Sequence, residues 1–367
     1  MKIALIARPF VFHGGVERAT SGLIETLAAR GHDVHLLSPG GALAPAGVTL
    51  HRLPLPRLPA TARALALVAL AGRALASGRW DVVQSHERTL HQHVYRAGEG
   101  CHRGYLASGA ALRKRPIYDR VMQALEARVF AGTPRVVAIA RRGKREIERL
   151  YAVDPARVSV IYNGVDLERF HPDHAAAHRA PTRGEAGIGS GDRVLLFVGS
   201  GYERKGLATA IEALPHLIGT RLAVIGRGDE TRYRRLAARL GVAERIRWLG
   251  LRQDVLRWYA AADLLVLPTR YEPFGNVHLE ALASGLPVLT TTAAGGSELI
   301  EEGKNGAVIE PGEPSALAAA VNRLLAENRA GLAEAARRAA EPFTYQRQAE
   351  EFEAIYRNFL EKSKGSP

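Results

Sequence analysis

Residues 261–300 read AADLLVLPTR YEPFGNVHLE ALASGLPVLT TTAAGGSELI, and the class of fold is predicted from this segment. The apolar run Leu264–Leu267 is typical of a parallel strand that is covered on both faces. After a polar turn, apolar residues recur at helical spacing from Asn276 to Ser284, and Gly285 ends the helix. Leu286–Leu289 predicts a second short strand. The order strand, loop, helix, strand indicates an α/β protein with a parallel sheet.

Two glutamates lie on either side of the predicted helix start. Glu272 is in the loop and Glu280 is in the helix, about 12 Å apart if every residue between them is helical. That separation is too large for a glycosidase pair acting on one bond, but it suits two groups that hold opposite ends of an elongated ligand. A helix beginning near Gly275 would direct its N–H groups and its positive dipole end towards a phosphate in the crevice beyond the strands. Two solvated carboxylates beside a helix start are the alternative.

The segment E-PFGNVHL-E followed by ALASGLPV, residues 272–288, resembles the signature of retaining, nucleotide-sugar-dependent glycosyltransferases of family 4. This resemblance implies the GT-B fold, in which two Rossmann-like, doubly wound parallel-sheet domains face a cleft. It also implies that Glu272 holds hydroxyls of the donor sugar and that Glu280 holds the ribose hydroxyls. The residues between them that belong to the donor-binding loop by the same resemblance are Phe274, Gly275 and Asn276.

Length and composition are those of an ordinary globular protein. The chain has 367 residues, enough for two or three domains, and its apolar fraction of 47% and charged fraction of 24% are unexceptional. The single cysteine, Cys101, excludes an internal disulfide framework and suits a reducing compartment. Arg8 and Pro9 interrupt the apolar start of the chain, so we predict a strand there rather than a signal peptide. The apolar run Ala64–Gly72 is too short to span a membrane.

The net charge of +13 lies entirely in the first half of the chain. Residues 1–165 hold 24 Lys and Arg against 11 Asp and Glu, whereas the rest of the chain holds 26 of each. This asymmetry predicts an anionic partner for the first half, with simple solubility as the alternative. Basic clusters at 113–115 and 141–145 favour anionic lipid headgroups. Because no nucleic-acid-binding module or interleaved aromatic residues accompany them, we expect no nucleic acid partner.

The first predicted turn, between a strand and a helix, contains Gly14 and Gly15. The Gly-x-Gly-x-x-Gly fingerprint is absent, which argues against a Rossmann dehydrogenase. The segments GGVER and RGHDVHLLS are similar to the N-terminal part of the same transferases, in which the glycine pair lets the backbone approach the donor. This similarity implies a donor contact at Gly15, with a plain turn as the alternative.

The polar passage 86–105 contains several histidines. The spacing of His91 and His93 fits neither a helix face nor a zinc finger, so we predict no metal site. Within this passage and just beyond it, RAGEGCHRGYL resembles the acceptor-side loop of a subgroup that adds hexose to the heptose of the lipopolysaccharide core. The resemblance implies that Glu99 contacts the acceptor hydroxyl or acts as its base; a structural loop glutamate is the alternative.

In the second half, the strand Val194–Val198 is followed by GSGYERKG and then by a helix. Arg204 and Lys205 in this turn are suited to neutralising a diphosphate, and the family resemblance implies the same role. Many relatives have an arginine where this chain has Ser200, and Arg204 is the expected replacement. In the family, the loop that contains Arg252 wraps the nucleotide base.

The predicted domains are 1–165 for acceptor binding and 166–345 for the nucleotide sugar, with a helix at 346–367 that packs back on the first domain. Residues 171–191 are rich in Pro, Gly and Ala, which predicts a linker or surface loop.

We therefore expect a retaining hexosyltransferase. The subgroup resemblance implies a UDP-sugar donor such as UDP-glucose and a heptose hydroxyl of the lipopolysaccharide inner core as acceptor, although the residues themselves do not separate UDP from GDP or ADP. No covalent nucleophile is evident, so front-face displacement is favoured, and we expect no metal or other cofactor. The expected location is cytoplasmic, peripheral at the inner face of the cytoplasmic membrane, where the acceptor is an anionic glycolipid. Alternatives are transfer to another glycolipid or polysaccharide, sugar-nucleotide epimerisation on the same fold, and non-catalytic nucleic acid binding.

Overall fold

The structure is a computed structural model that describes residues 1–8, 15–40, 44–111 and 115–364, without the side chains of 15–18 and 362–364. Gly14 and most of the basic cluster at 113–115 lie outside the described residues.

Two parallel β-sheets form within the described part of the chain. The strands of the first sheet are Lys2–Ile6 (β1), Asp33–Pro39 (β2), Val48–Leu53 (β3), Val82–Ser85 (β4), Val94–Ala97 (β5), Arg135–Ala138 (β6) and Val158–Val160 (β7). The strands of the second sheet are Arg193–Val198 (β8), Thr220–Ile225 (β9), Ile246–Gly250 (β10), Leu264–Val266 (β11), Val288–Thr291 (β12) and Gly306–Ile309 (β13). The spatial orders are β3-β2-β1-β4-β5-β6-β7 and β10-β9-β8-β11-β12-β13.

Helices connect most of these strands. They are Gly15–Ala29 (α1), Ala60–Ala76 (α2), His102–Ala107 (α3), Pro116–Gly132 (α4), Arg141–Tyr151 (α5), His174–Glu185 (α6), Leu207–Ala213 (α7), Glu230–Arg239 (α8), Val255–Ala261 (α9), Asn276–Ala283 (α10), Pro314–Ala326 (α11), Arg329–Ala340 (α12) and Tyr345–Lys364 (α13).

The chain divides into two compact units, each built around one sheet. Unit 1 comprises Met1–Ala107, Arg113–Gly164 and Phe343–Pro367, and unit 2 comprises Ser108–Leu112 and Val165–Pro342. In both sheets the strand order reverses beside the first strand of the unit, between β1 and β4 and between β8 and β11. Such a reversal defines a doubly wound sheet and marks where it binds ligands. The predicted α/β class with two doubly wound parallel sheets is confirmed.

The central strands are buried because helices cover both sheet faces. In β8 every residue after Arg193 is buried, and all of β11 is buried. In unit 1 the C-terminal helix α13 completes the core, where its Phe352 and Tyr356 pack with Leu23 and Leu27 of α1. The Tyr356 hydroxyl also donates to Oε1 of Gln84 at 2.6 Å. The C-terminal helix is therefore an integral part of unit 1.

The prediction of a linker at 171–191 is wrong, because most of that stretch forms α6. Two of its arginines, Arg179 and Arg183, form ion pairs with Asp263 at 2.5 and 2.7 Å. Arg183 also donates to the backbone carbonyl of Ala261 at 2.8 Å. The polar composition that suggested a loop includes the groups that attach this helix to its unit.

Candidate active site

The strand order of the unit 2 sheet reverses between β8 and β11, and this position is called the switch point of the sheet. The two strands pair in parallel, Leu195 with Leu264 and Leu196 with Leu265. The loops that follow these two strands therefore leave the sheet side by side. The loop after β8 contains Arg204 and Lys205, and the loop after β11 contains Glu272. The fold thus brings the two predicted donor-binding segments together.

Backbone hydrogen bonds join these two loops. The carbonyl of Arg204 accepts from the N–H of Arg270 at 2.8 Å and from the hydroxyl of Thr269 at 2.9 Å. Gly206 has φ +76°, and a Cβ there would lie 1.8 Å from the carbonyl oxygen of Pro268. Only glycine allows both this conformation and this close approach, so Gly206 fixes the turn that carries Arg204 and Lys205.

The three charged side chains meet at one carboxylate oxygen. Oε2 of Glu272 lies 2.6 Å from Nζ of Lys205 and 2.9 Å from Nη1 of Arg204. Arg204 also donates to the carbonyl of Tyr271 at 2.9 Å. Burial opposes ionisation of Glu272, but the Lys205 and Arg204 cations outweigh it and lower the pKa to about 2. Two cations share one carboxylate, so the cluster retains a positive charge that suits an anionic ligand.

The loop after Glu272 leads directly into α10. The N–H of Glu272 donates to the carbonyl of Ala293 at 3.1 Å, and its carbonyl accepts from Gly295 at 2.9 Å. Gly275 precedes α10 with φ +88°, and Asn276 is the first residue of the helix. The predicted helix start is therefore present, in the same loop as Glu272, and the side chain of Phe274 is buried there.

Glu280 is buried in α10, where its Oε2 accepts a hydrogen bond from the hydroxyl of Tyr259 at 2.7 Å. Tyr259 lies in α9 and is itself buried. Sequence reasoning did not identify Tyr259, because an aromatic residue in an apolar helix is usually a core residue.

Two further positions in unit 2 have local contacts. The Arg252 guanidinium lies 5.8 Å from the ring centroid of Trp258, and its Nε lies 3.4 Å from Asp254. The hydroxyl of Ser200 accepts from the N–H of Arg227 at 3.2 Å. The base-binding role of Arg252 remains a prediction.

In unit 1 a second charged cluster lies at the switch point between β1 and β4. Arg8 follows β1 and contacts Glu87 at 3.0 Å and Glu99 at 2.7 Å. Arg88 contacts the other oxygen of Glu99 at 2.8 Å and the buried carboxylate of Glu126 at 2.7 Å. Three carboxylates and two guanidinium groups therefore form one chain of alternating charge.

Two glutamates of this cluster, Glu87 and Glu99, differ in acidity. Burial raises the pKa of Glu87 to about 7, against the opposing effect of Arg8. Burial acts in the same direction on Glu99, but Arg8 and Arg88 outweigh it and the pKa of Glu99 is lowered. A carboxylate with a lowered pKa stays ionised at neutral pH and is a weak base, so it is better suited to accepting a hydrogen bond than to removing a proton. Sequence reasoning identified Glu99 but not its partners, which are distant in sequence.

Gly15 is the first residue of α1, and residues 9–14 lie outside the described part of the chain. Among the described residues, no group of three or more His, Cys, Asp or Glu side chains is arranged to hold a metal ion. In the same residues, none of the helices has the length and apolar character that crossing a membrane requires.

The two units match two glycosyltransferase families. Residues 192–327 match Glycosyl transferases group 1, and residues 13–169 match Glycosyltransferase Family 4. The chain is 32% identical to a D-inositol 3-phosphate glycosyltransferase of Xylanimonas cellulosilytica over 301 residues, which covers 78% of this chain and 69% of that protein. Together with the two doubly wound units, these matches define a glycosyltransferase of the GT-B class. The chain belongs to glycosyltransferase family 4, and the resemblance found in the sequence is confirmed.

Lipopolysaccharide glucosyltransferase WaaG of Escherichia coli is 28% identical over 319 residues, which covers 84% of this chain and 85% of that protein. A crystal structure of WaaG superposes with a TM-score of 0.83 at 28% identity, covering 96% of this chain and 99% of the other. A structure of Anabaena HepE in complex with UDP-glucose has a TM-score of 0.76 at 20% identity, covers 98% of this chain and 100% of the other, and shows a likeness of fold alone.

Proposed function

We propose that this glycosyltransferase moves a hexose, glucose in the first instance, from a UDP-sugar to a heptose hydroxyl of a lipopolysaccharide-type glycolipid, with retention at the anomeric carbon. The observation that carries the proposal is the contact of Lys205 and Arg204 with the single carboxylate of Glu272 at the unit 2 switch point. The relationship to WaaG, a lipopolysaccharide glucosyltransferase, supports the choice of donor and acceptor.

The donor lies across the unit 2 loops. Lys205 and Arg204 bind the diphosphate together with the backbone at Gly275 and Asn276. Glu272 accepts hydrogen bonds from the sugar hydroxyls, and Glu280, oriented by Tyr259, accepts them from the ribose. The other donor contacts that we propose are Phe274 beside the diphosphate, Arg252 near the base, and Gly15 from unit 1.

In the reaction, the bond between the anomeric carbon and the β-phosphate oxygen breaks, and the acceptor hydroxyl oxygen forms a new bond on the same face. The proton of that hydroxyl passes to the leaving β-phosphate oxygen. The negative charge that develops on the leaving diphosphate is stabilised by Lys205 and Arg204, which Glu272 holds in position. These two side chains neutralise the charge of the diphosphate, so we propose no metal ion or other cofactor. Glu99 accepts a hydrogen bond from the acceptor hydroxyl.

A glycolipid acceptor lies in a membrane, so the proposed function requires contact between the protein and a membrane surface. All of the net positive charge lies in residues 1–165, and α5 begins with Arg141 and Arg142 and continues with Lys144 and Arg145. Basic residues near an anionic bilayer contribute about 1 kcal/mol each. We therefore propose peripheral attachment of unit 1 to the cytoplasmic face of the inner membrane, where such glycolipids are assembled.

The test begins with a thermal-shift screen of nucleoside diphosphates and their sugars, because a ligand that binds only the folded protein raises its melting temperature. We expect UDP and UDP-glucose to give the largest shifts. Release of UDP is then measured with and without a heptosyl acceptor, and the α-linked product is identified by NMR. Turnover without acceptor would indicate an epimerase. RNA binding whose affinity falls steeply as salt concentration rises, and which Glu272→Ala does not affect, would indicate a nucleic-acid-binding protein. Either result would overturn the proposal.

Vesicle sedimentation tests the membrane contact. We expect binding to phosphatidylglycerol vesicles at low salt, no binding to phosphatidylcholine vesicles, and weaker binding when the α5 arginines are replaced by glutamine. Equal binding to both kinds of vesicle, or to neither, would refute it.

A further inference from the structure

A histidine lies inside the donor-binding segment, between Glu272 and Glu280, and has no role in the function proposed above. His278 is the third residue of α10, and its side chain is completely buried. A buried imidazole needs partners for both ring nitrogens, so the identity of those partners determines what the residue does.

The partners of His278 determine which nitrogen carries the proton. Nδ1 lies 2.9 Å from the carbonyl oxygen of Gly275 and 3.2 Å from that of Phe274. Both of these oxygens are acceptors only, so Nδ1 must be the donor. Nε2 lies 2.9 Å from the hydroxyl of Thr290, which donates to it. The same hydroxyl lies 3.1 Å from the carbonyl oxygen of Leu267, but it has a single proton. Because the two carbonyls fix the proton of the neutral ring on Nδ1, Nε2 is the acceptor that this proton satisfies.

The imidazole is neutral in this position. Burial lowers the pKa of His278 to about 4, and the Lys205 cation acts in the same direction while Glu272 opposes it. A positive charge in the first turn of a helix would also be unfavourable. The neutral tautomer with the proton on Nδ1 gives each ring nitrogen a hydrogen-bond partner.

Because Nδ1 holds two carbonyls, His278 sets the direction of two successive peptide groups. In a trans peptide the C=O and N–H bonds point in opposite directions, and the described residues contain no cis peptide. The carbonyls of Phe274 and Gly275 point towards the buried ring. The N–H groups of Gly275 and Asn276, which belong to the same peptides, therefore point away from it.

Two glycines make room for the ring. A Cβ on Gly275 would lie 2.4 Å from Nδ1 of His278, and a Cβ on Gly296 would lie 2.6 Å from the same atom. Gly296 also donates its N–H to the carbonyl of Phe274 at 2.7 Å. The imidazole thus connects the loop between Glu272 and α10 to β12 through its hydrogen bond with Thr290. It also packs against the turn at Gly296.

We propose that His278 is a positioning residue for the donor: its Nδ1–H holds the Phe274 and Gly275 carbonyls inward, so that the backbone N–H groups of Gly275 and Asn276 face the donor diphosphate. This inference rests on the proposed function, because it assumes that the loop binds a diphosphate. His278 itself touches neither donor nor acceptor.

Three variants separate the two ring nitrogens. The amide nitrogen of His278→Asn reaches the place of Nδ1, that of His278→Gln reaches the place of Nε2, and His278→Ala reaches neither. The dissociation constant for UDP is measured by calorimetry. We expect H278N to stay within about threefold of the native value and H278Q and H278A to rise about tenfold, as for the loss of one aligned, charged hydrogen bond. Val321→Ala, in the core of the same unit, is the control, with a lower melting temperature and unchanged affinity.

A second measurement needs no destabilised variant. Long-range ¹⁵N–¹H spectra of histidine-labelled native protein, assigned with H278N, report the tautomer directly, and we expect a protonated Nδ1 and an unprotonated Nε2 at His278. A native protein that binds no nucleoside diphosphate would overturn the proposed function. If all three variants bind UDP as the native protein does, or if the imidazole carries its proton on Nε2 and none on Nδ1, this inference alone is overturned.

Discussion

Lys205 Nζ lies 2.6 Å from Oε2 of Glu272, and Arg204 contacts the same oxygen at 2.9 Å. The carboxylate therefore holds both cations in position by direct contact. Removing water and fixing side chains in advance reduces the free energy that binding must supply for these steps. Because two cations outnumber one carboxylate, a diphosphate that enters the site finds unbalanced positive charge.

Replacing Lys205 by methionine tests its role in stabilising the leaving group. Lys205→Met keeps most of the side-chain volume and removes the charge, so we expect kcat for UDP release to fall about 10²- to 10³-fold, the usual effect of removing one group that stabilises transition-state charge. The matched control is Lys304→Met, which replaces an exposed lysine paired with Glu301 and should leave kcat unchanged. A loss confined to KM would show that Lys205 binds donor and transition state equally.

Replacing Glu272 by glutamine tests whether this carboxylate binds the sugar or only holds Arg204 and Lys205 in position. Glu272→Gln frees Arg204 and Lys205 from their carboxylate, so we expect UDP to bind at least as tightly as in the native protein. Transfer from UDP-glucose should fall about tenfold or more, because the sugar hydroxyls lose a charged acceptor. Calorimetry with UDP and a coupled assay with UDP-glucose separate the two effects. Equal loss in both would mean that Glu272 mainly supports the cations and does not hold the sugar.

The class of fold and the order of strand, loop and helix from Leu264 to Ala283 were predictable because their signals are local. The helix start at Gly275 follows from a glycine with an apolar run on either side, and the structure has φ +88° there. The pairing of Lys205 with Glu272 was not predicted, because only the strand order of the folded sheet brings the loops after β8 and β11 together.

Other misses have the same origin. Tyr259 lies 21 residues before its partner Glu280. The apolar residues around it predict only that it belongs to the hydrophobic core. The helix α6 was missed because Arg179 and Arg183 look like solvated residues until Asp263, about eighty positions later, is placed beside them. Contacts between distant residues decide these features, and no local pattern encodes them.

Replacing Tyr259 by phenylalanine tests the role of Glu280. Tyr259→Phe removes only the hydroxyl that donates to Glu280 at 2.7 Å. A hydrogen bond to a charged group contributes about 1.5–3 kcal/mol, so we expect KM for UDP-glucose to rise about tenfold or more while kcat changes little. Tyr233→Phe removes a comparable hydroxyl that contacts Glu203 at 3.2 Å and serves as the control. If both variants raise KM equally, the effect is one of packing and not of ribose binding.

The charged cluster of unit 1 predicts a pH dependence of stability with a definite sign. Burial raises the pKa of Glu87 from 4.5 to about 7; the Glu99 carboxylate acts in the same direction, and Arg8 and Arg88 oppose it. Between these two values the folded protein binds a proton that the unfolded chain has lost, so the contribution of Glu87 to the free energy of unfolding falls as pH rises. The difference in free energy of unfolding between native protein and Glu87→Gln should therefore decrease from about pH 5 to pH 8 in urea titrations. The same difference for Glu99→Gln should not decrease, because the pKa of Glu99 is lowered and its stabilisation is retained at the higher pH. A difference for Glu87→Gln that stays constant over this range would mean that Glu87 remains ionised throughout.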